Sequence, residues 1–174
     1  MQIGNSATKT NRHIAILRQL SKFKNENIKI FAPLSYGDPI YAKAVIKEGK
    51  RIFGKKFVGI TGFIKEAEYY QFLNNMDISI FDINRQQALG NIFSLLYLGK
   101  KVFLKDNSVL AHYFRTENHC IINTMHEIEQ MAFEEFIKFP KEYQVSNEDR
   151  LEQMFDLAPL MNEWNNIFNE KLSY

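Results

Sequence analysis

The sequence predicts an α/β fold built on a parallel sheet with helices on both faces. Three observations predict it. Short apolar runs of strand character alternate with helix-period segments every 20 to 30 residues. The connections between them are short, as βα and αβ units require. Polar, glycine-containing loops follow the apolar runs rather than precede them, which is where such sheets carry their ligand loops.

Met1 to Ile3 is an apolar stub followed at once by the polar turn Gly4-Asn5-Ser6-Ala7-Thr8. It is shorter than an ordinary strand, so the first strand is expected to be cut short, with protein missing upstream. Residues 11–22 place Ile14, Leu17 and Leu20 on one helical face. Residues 28–34 read as a buried strand ended by Pro33. Ser35-Tyr36-Gly37-Asp38-Pro39 is a turn whose Asp38 caps a helix reaching Phe53, with Gly54 as its stop. A strand over 56–60, a loop Thr61-Gly62-Phe63 and a helix over 65–75 follow. Then come a strand at Asp77 to Phe81, a polar loop at Asp82 to Gln86, an apolar helix over 87–98 closed by Gly99, and a strand over 100–104. A short helix over 109–117, a last strand at Cys120 to Ile122 and a helix from Thr124 to Phe136 complete the body. Asn147 to Leu172 reads as acidic and amphipathic, one long helix or two short ones. Leu151, Met154, Phe155 and Ala158 form one stripe, and Trp164, Ile167 and Phe168 another. The expected division is residues 1–140 as a Rossmann-like domain and 141–174 as a helical extension packed on it.

Composition bounds the function. At 174 residues and 45% hydrophobic, the chain supports one domain with a real core. A single cysteine, Cys120, excludes an internal disulfide and a cysteine-rich zinc module. Nothing near the start reads as a signal peptide, and no apolar run approaches membrane-spanning length. Residues 1–140 hold 19 Lys and Arg against 13 Asp and Glu, and residues 141–174 hold 3 against 7. A basic body suits a phosphorylated ligand or an anionic surface, and it is also ordinary in soluble proteins.

The loops after the strands belong to one crevice. Gly4, Asn5 and Ser6 precede the first helix, where backbone N–H groups and the Ser6 hydroxyl face a phosphate or simply form a βα turn. No dinucleotide fingerprint or P-loop is present. Arg85 and Gln86 sit at the mouth of the apolar helix. A cation is mildly unfavourable at a helix N-terminus, so Arg85 makes sense with a phosphate between them. Gly90 and Asn91 lie in that helix's first turns, and Gly90 costs about 1 kcal/mol relative to alanine unless a ligand or another element approaches closely. Glu68 and Tyr69 offer a carboxylate for ribose hydroxyls and a ring for a base. His13 offers a ligand for a phosphate or sugar hydroxyl, or a surface residue. His112, His119 and His126 match no metal spacing, and no Asp-x-Asp pair, Ser-His-Asp set or paired catalytic carboxylates stand out. No cofactor or metal is called for, and no nucleic-acid motif is found.

Residues 4–13 (GNSATKTNRH), Pro33-Leu34-Ser35-Tyr36-Gly37 and residues 84–91 (NRQQALGN) together resemble the C-terminal half of the 4-acetamido-4,6-dideoxygalactosyltransferases, the dTDP-Fuc4NAc:lipid II transferases of enterobacterial common antigen synthesis. The resemblance is good over residues 2–105 and loose beyond. It implies the C-terminal donor-binding domain of a two-domain GT-B glycosyltransferase. The implied partners are a nucleotide-sugar donor, an undecaprenyl-diphosphate-linked glycan acceptor and a missing N-terminal domain of the same protein. The implied place is the cytoplasmic face of the inner membrane, as a peripheral protein. By motif it places the donor diphosphate and sugar near Asn5, Ser6, His13, Ser35, Tyr36, Arg85, Gln86 and Asn91, with Gly4 and Gly37 in the same loops. Arg85 takes the catalytic role, stabilising the leaving diphosphate. Two rival readings are half of a sugar-nucleotide epimerase, which wants acidic residues that cannot be placed here, and a non-enzymatic α/β interaction module.

Overall fold

The structure, a computed structural model, describes residues 1–159 together with 161, 162, 164 and 166. Among these residues the strands β1 (Gln2–Ile3), β2 (Ile30–Pro33), β3 (Phe57–Ile60), β4 (Ile78–Phe81), β5 (Lys101–Leu104) and β6 (Asn123–Thr124) form one parallel sheet in the order β3-β2-β1-β4-β5-β6. That is the Rossmann-like order, with the chain reversing direction across the sheet between β1 and β4. β1 is only two residues long yet central. Gln2 and Ile3 pair with Ser79 and Ile80 on one side, and Gln2 pairs with Phe31 on the other.

The helices α1 (His13–Gln19), α2 (Pro39–Phe53), α3 (Glu66–Asn74), α4 (Leu89–Tyr97), α5 (Val109–His112), α6 (Met125–Gln130), α7 (Phe133–Ile137) and α8 (Lys141–Phe155) cover both faces. Period-2 alternation sorts the strand side chains. Ile30, Ala32, Ile78, Ile80 and Phe103 join Leu17, Val45 and Phe136 on one face, while Phe81, Val102 and Leu104 join Leu73, Ile92, Leu95 and Phe114 on the other. α8 belongs to the second face. Leu151 is buried there, Phe155 meets Phe93 edge-on at 5.1 Å, and buried Asn147 bonds the N–H and C=O of Ile121. Ile167 and Phe168 lie outside the described residues.

Several boundaries differ from the sequence reading. α1 starts at His13, because Arg12 adopts a left-handed conformation (φ 49°) after a short 3-10 turn at Lys9–Asn11. α4 starts at Leu89, because Ala88 is left-handed too (φ 60°). The last strand is Asn123–Thr124 rather than 120–122. The helix expected from Thr124 to Phe136 is two helices, since Met131 and Ala132 are extended. The helix expected from Asn147 starts at Lys141 and ends at Phe155, where Asp156 is extended before helical residues resume at 157.

Lysines close the helix ends that this broken pattern leaves open. Lys101, 4% exposed, donates to the carbonyls of Glu135, Phe136 and Lys138 at the end of α7. Lys22 does the same for Ile128, Glu129 and Met131 at the end of α6, and Lys56 for Lys24 and Glu26. A cation at a helix C-terminus satisfies orphan carbonyls and complements the dipole. Part of the basic surplus therefore holds the fold together rather than awaiting a ligand. Among the described residues no helix is long and apolar enough to cross a membrane.

Candidate functional site

At the C-terminal edge of the sheet a cleft of about 500 Å³ opens between the loops after β1, β2 and β3 and the start of α4. Its walls are Pro33, Ile60, Phe63, Ile64 and Leu89, with polar groups from Asn5, Ser35, Tyr36, Glu66, Tyr69 and Asn91. An apolar slot with a few convergent polar groups is the usual form of a small-molecule site. Asn5, Ser35, Tyr36, Tyr69, Gly90 and Asn91, all expected site residues, come together here.

The phosphate cradle expected in the β1 loop is closed. Gly4 N–H donates to Ile80 O, Asn5 N–H to Asn11 Oδ1, Ala7 N–H to Tyr36 O and Thr8 N–H to Ser6 O. The Ser6 hydroxyl is buried against Thr8 Oγ1 (3.2 Å) and Asn11 Nδ2 (3.0 Å). Asn11 organises all of this from a fully buried position, donating from Nδ2 to Ser6 O, Ser6 Oγ and Thr8 Oγ1. The loop is thus held by its own side chains, and the N–H groups of Gly4, Asn5, Ala7 and Thr8 are already used. Gly37 likewise serves the loops. At φ 110° it forms a bridge with Ala7, and a Cβ there would lie 2.6 Å from Ala7 O.

His13 is not at the surface. It has no exposed area, and neither ring nitrogen has a hydrogen-bond partner. Its Nε2 lies against Gly4, where a Cβ would approach to 2.4 Å. Burial pushes its pKa down to about 4, so the ring is neutral. The expectation that His13 binds phosphate or sugar hydroxyls is corrected by this geometry, because Gly4 shuts it away. Glu68 is exposed and does not line the cleft, since it stands two residues from Glu66, which does, and so on nearly the opposite side of α3. Arg85 and Gln86 are exposed on the loop leading into α4 and do not line the cleft in this conformation.

Tyr69 also has partners within the fold. Its ring already stacks on Phe72 at 5.7 Å, and its hydroxyl accepts from Asn91 Nδ2 at 2.8 Å. Burial raises its pKa, partly offset by the amides of Gln2 and Asn91 beside it. This bond fixes Asn91 at the start of α4. The N-cap residue of α4 is Ala88, and no side chain caps the helix. Alanine is among the poorest N-caps. A Cβ on Gly90 would meet nothing within 4 Å, so packing does not require the glycine.

Sequence reasoning missed the side chains that join the loops. Thr10 Oγ1 donates to Gln87 Oε1 (3.2 Å), Gln87 Nε2 reaches Asn5 Oδ1 (3.5 Å), and Asn5 Nδ2 reaches Tyr36 OH (3.4 Å). Arg12 Nε pairs with Asp82 Oδ2 at 3.2 Å, tying the left-handed residue before α1 to the end of β4. Burial raises the Asp82 pKa, and the Arg12 charge works against that. The signal available for Asn11 and Arg12 was their place in a dense polar run, which does not separate inward from outward side chains. Among the described residues no group of three or more His, Cys, Asp and Glu is placed to hold a metal ion.

Residues 1–172 match the family described as 4-alpha-L-fucosyltransferase glycosyl transferase group 56. The chain belongs to this family. The fold of this family member is similar to that of a glycosyltransferase from Rickettsia africae ESF-5, with a TM-score of 0.74 at 15% identity over 99% of this chain and 47% of that one. It is also similar to the N-terminal domain of a trehalose-6-phosphate phosphatase from Candida albicans, with a TM-score of 0.65 at 13% identity over 86% of this chain and 37% of that one. At such identities the likeness is one of fold. The chain spans less than half the length of either matched structure.

Proposed function

We propose that this chain is the nucleotide-sugar-binding half of a two-domain glycosyltransferase, with the donor lying in the cleft between β1, β2, β3 and α4. The observation that carries the reading is the start of α4. It is an uncapped helix N-terminus opening on the cleft, with Gly90 leaving space in front of it. Free N–H groups and the positive end of the helix dipole suit a diphosphate. With the β1 loop closed, the diphosphate belongs at α4 rather than at Gly4 to Ser6. Arg85 and Gln86, on the loop just ahead, swing onto it, and Arg85 stabilises the charge that develops on the leaving nucleoside diphosphate. Phe63, Ile64 and Tyr36 offer apolar cover for a base, Glu66 accepts from ribose hydroxyls, and Asn5 with Gln87 faces the sugar. Family membership supports transfer of a deoxysugar. Resemblance of the three motifs favours a dTDP-linked amino-deoxysugar such as dTDP-Fuc4NAc and a lipid-diphosphate-linked glycan acceptor at the inner membrane. The acceptor and its activating base fall to a second domain.

Titration calorimetry of this chain with dTDP and UDP, beside Arg85→Ala, tests the reading. The expected result is dTDP binding weakened at least tenfold in the variant, about 1.4 kcal/mol. Equal affinity of both proteins would detach Arg85 from the diphosphate. Silence with either nucleotide, repeated on a two-domain protein, would remove the donor assignment.

Gly90→Ala separates fold from function. Its Cβ enters open space, so the variant is expected to melt higher, by up to about 1 kcal/mol of helix propensity. The same methyl stands in the cleft and is expected to weaken nucleotide binding. Unchanged binding in a stabilised variant would place the ligand elsewhere.

A further inference from the structure

On the donor reading of this cleft, we infer that Thr10 and Asn11, neither of which lines it, set the direction of the hydrogen bonds along its edge, so that Asn5, Gln87 and Tyr36 offer only protons to the ligand. The two ends of a carboxamide have the same shape, and only their partners tell oxygen from nitrogen. Asn11 is fully buried and is fixed by backbone at both ends. Its Oδ1 accepts from the Asn5 N–H (3.2 Å), which can only donate, and its Nδ2 donates to Ser6 O (3.0 Å), which can only accept.

From that anchor each proton is passed outward. Asn11 Nδ2 also donates to Thr8 Oγ1 (2.9 Å) and to Ser6 Oγ (3.0 Å). Among the described residues, the buried Ser6 hydroxyl has only Thr8 Oγ1 (3.2 Å) left to take its proton. Thr8 therefore passes its own proton to Thr10 Oγ1 (2.9 Å), and Thr10 donates to Gln87 Oε1 (3.2 Å). This turns Gln87 with Nε2 toward Asn5 Oδ1 (3.5 Å), and Asn5 with Nδ2 toward the Tyr36 hydroxyl (3.4 Å). Tyr36 accepts there, which leaves its own proton free.

What remains for a ligand is the Tyr36 O–H and the second proton on each amide nitrogen. Asn5 and Tyr36 line the cleft, and the amide oxygens of Asn5 and Gln87 are engaged. The junction is thus a neutral cluster of donors. It fits oxygens of the donor, on its diphosphate or on its sugar, and it does not fit an ammonium group. Each bond also polarises the next, which strengthens the last donor in the chain. The links at the buried end are short, while the two nearest the cleft are long beside the usual distance of about 2.9–3.0 Å. The outer groups therefore have room to turn onto a ligand while Asn11 and Thr10 hold the direction from beneath.

Thr10→Val keeps the shape and removes the proton that turns Gln87, whereas Thr10→Ser keeps the proton. Titration calorimetry of this chain with dTDP and with dTDP-glucose should show Thr10→Val binding roughly fivefold more weakly than wild type, and Thr10→Ser close to wild type. Equal weakening toward both ligands places the accepting oxygens on the diphosphate, and weakening confined to dTDP-glucose places them on the sugar. Tyr36→Phe should also weaken binding, and the double variant should lose clearly less than the product of the two fold-changes, because both substitutions cut one chain. The chain is also read without ligand, from the side-chain NH2 signals of Gln87 and Asn5 by NMR. Both should move in Thr10→Val and stay near their wild-type positions in Thr10→Ser. Unchanged affinity in Thr10→Val, equal losses in Thr10→Val and Thr10→Ser, fold-changes that multiply, or an Asn5 signal that stays still would overturn the proposal. A wild type that binds neither nucleotide, with both signals moving as expected, would remove the donor reading and leave the directed chain standing.

Discussion

Gly4→Ala is expected to lower folding stability by roughly 3 kcal/mol, read as a fall in the urea midpoint with the slope unchanged. Two costs add. Gly4 has φ 59°, where an L-residue loses about 1–2 kcal/mol. Its new Cβ would also stand 2.4 Å from His13 Nε2 and 3.0 Å from Asn11 Oδ1. Neither neighbour is free to retreat. His13 is walled in with no exposed area, and Asn11 makes four hydrogen bonds to the same loop. Overpacking of that kind costs about 1–3 kcal/mol. The steric part is separable by a double-mutant cycle. His13→Ala leaves a cavity on its own, yet it makes room for the methyl that Gly4→Ala adds, so the loss in the double variant should fall short of the sum of the two single losses by at least about 1 kcal/mol. Strict additivity would show that backbone strain alone fixes the glycine. A large loss of nucleotide affinity without loss of stability would return Gly4 to the ligand.

The fold was legible because its signals are local and mutually consistent. Alternating apolar runs, Asp38 with Pro39 at the start of α2, and Gly99 after α4 each carry their own geometry. The misplaced boundaries share one physical cause. Arg12 and Ala88 take left-handed conformations that propensity assigns to glycine and asparagine. Tertiary contacts hold them there: Arg12 is pinned by Asp82, and Ala88 starts the helix that forms a cleft wall. The division of 124–136 into α6 and α7 is also a tertiary matter, since Lys22 and Lys101 supply caps from distant segments. No window centred on residue 131 contains them.

The site was legible at the level of loops and not of side chains. Asn5, Ser35, Tyr36, Tyr69, Gly90 and Asn91 do share a cleft, because residues that follow parallel strands converge. Direction was hidden. Ser6, Asn11 and His13 are as polar as Asn5, yet they point into the loop's own core. Glu66 rather than Glu68 lines the cleft, a choice set by where α3 begins. Tyr69 stacks on Phe72 and its hydroxyl accepts from Asn91, so it also positions another cleft residue, which its sequence context did not show. This is why the proposed anion site lies at α4, whose N-terminus has no side-chain cap, rather than at the β1 loop, where the N–H groups of Gly4, Asn5, Ala7 and Thr8 are used.

Acid should destabilise this protein through His13. Its pKa of about 4 in the fold lies below the ordinary 6.5, and desolvation is the cause. Between those values the unfolded chain binds more protons than the folded one, so stability rises with pH there. The sign follows: the stability is fully present above about pH 6.5, is lost as pH falls, and stops falling below about pH 4. The full span is on the order of 3 kcal/mol, and about 2 kcal/mol of it falls between pH 7.5 and pH 5. Asp82 works in the opposite sense, because its raised pKa lets the fold take up a proton early. Comparing variants isolates the histidine from that background. His13→Met keeps an apolar filling beneath Gly4, and neither ring nitrogen has a partner to lose. Urea unfolding at pH 7.5 and pH 5 should show wild type losing about 2 kcal/mol more than His13→Met. Parallel losses would mean that the folded chain reaches His13 with water and protonates it in place. In that case Gly4 opens readily, and the ring returns as a candidate ligand for the donor.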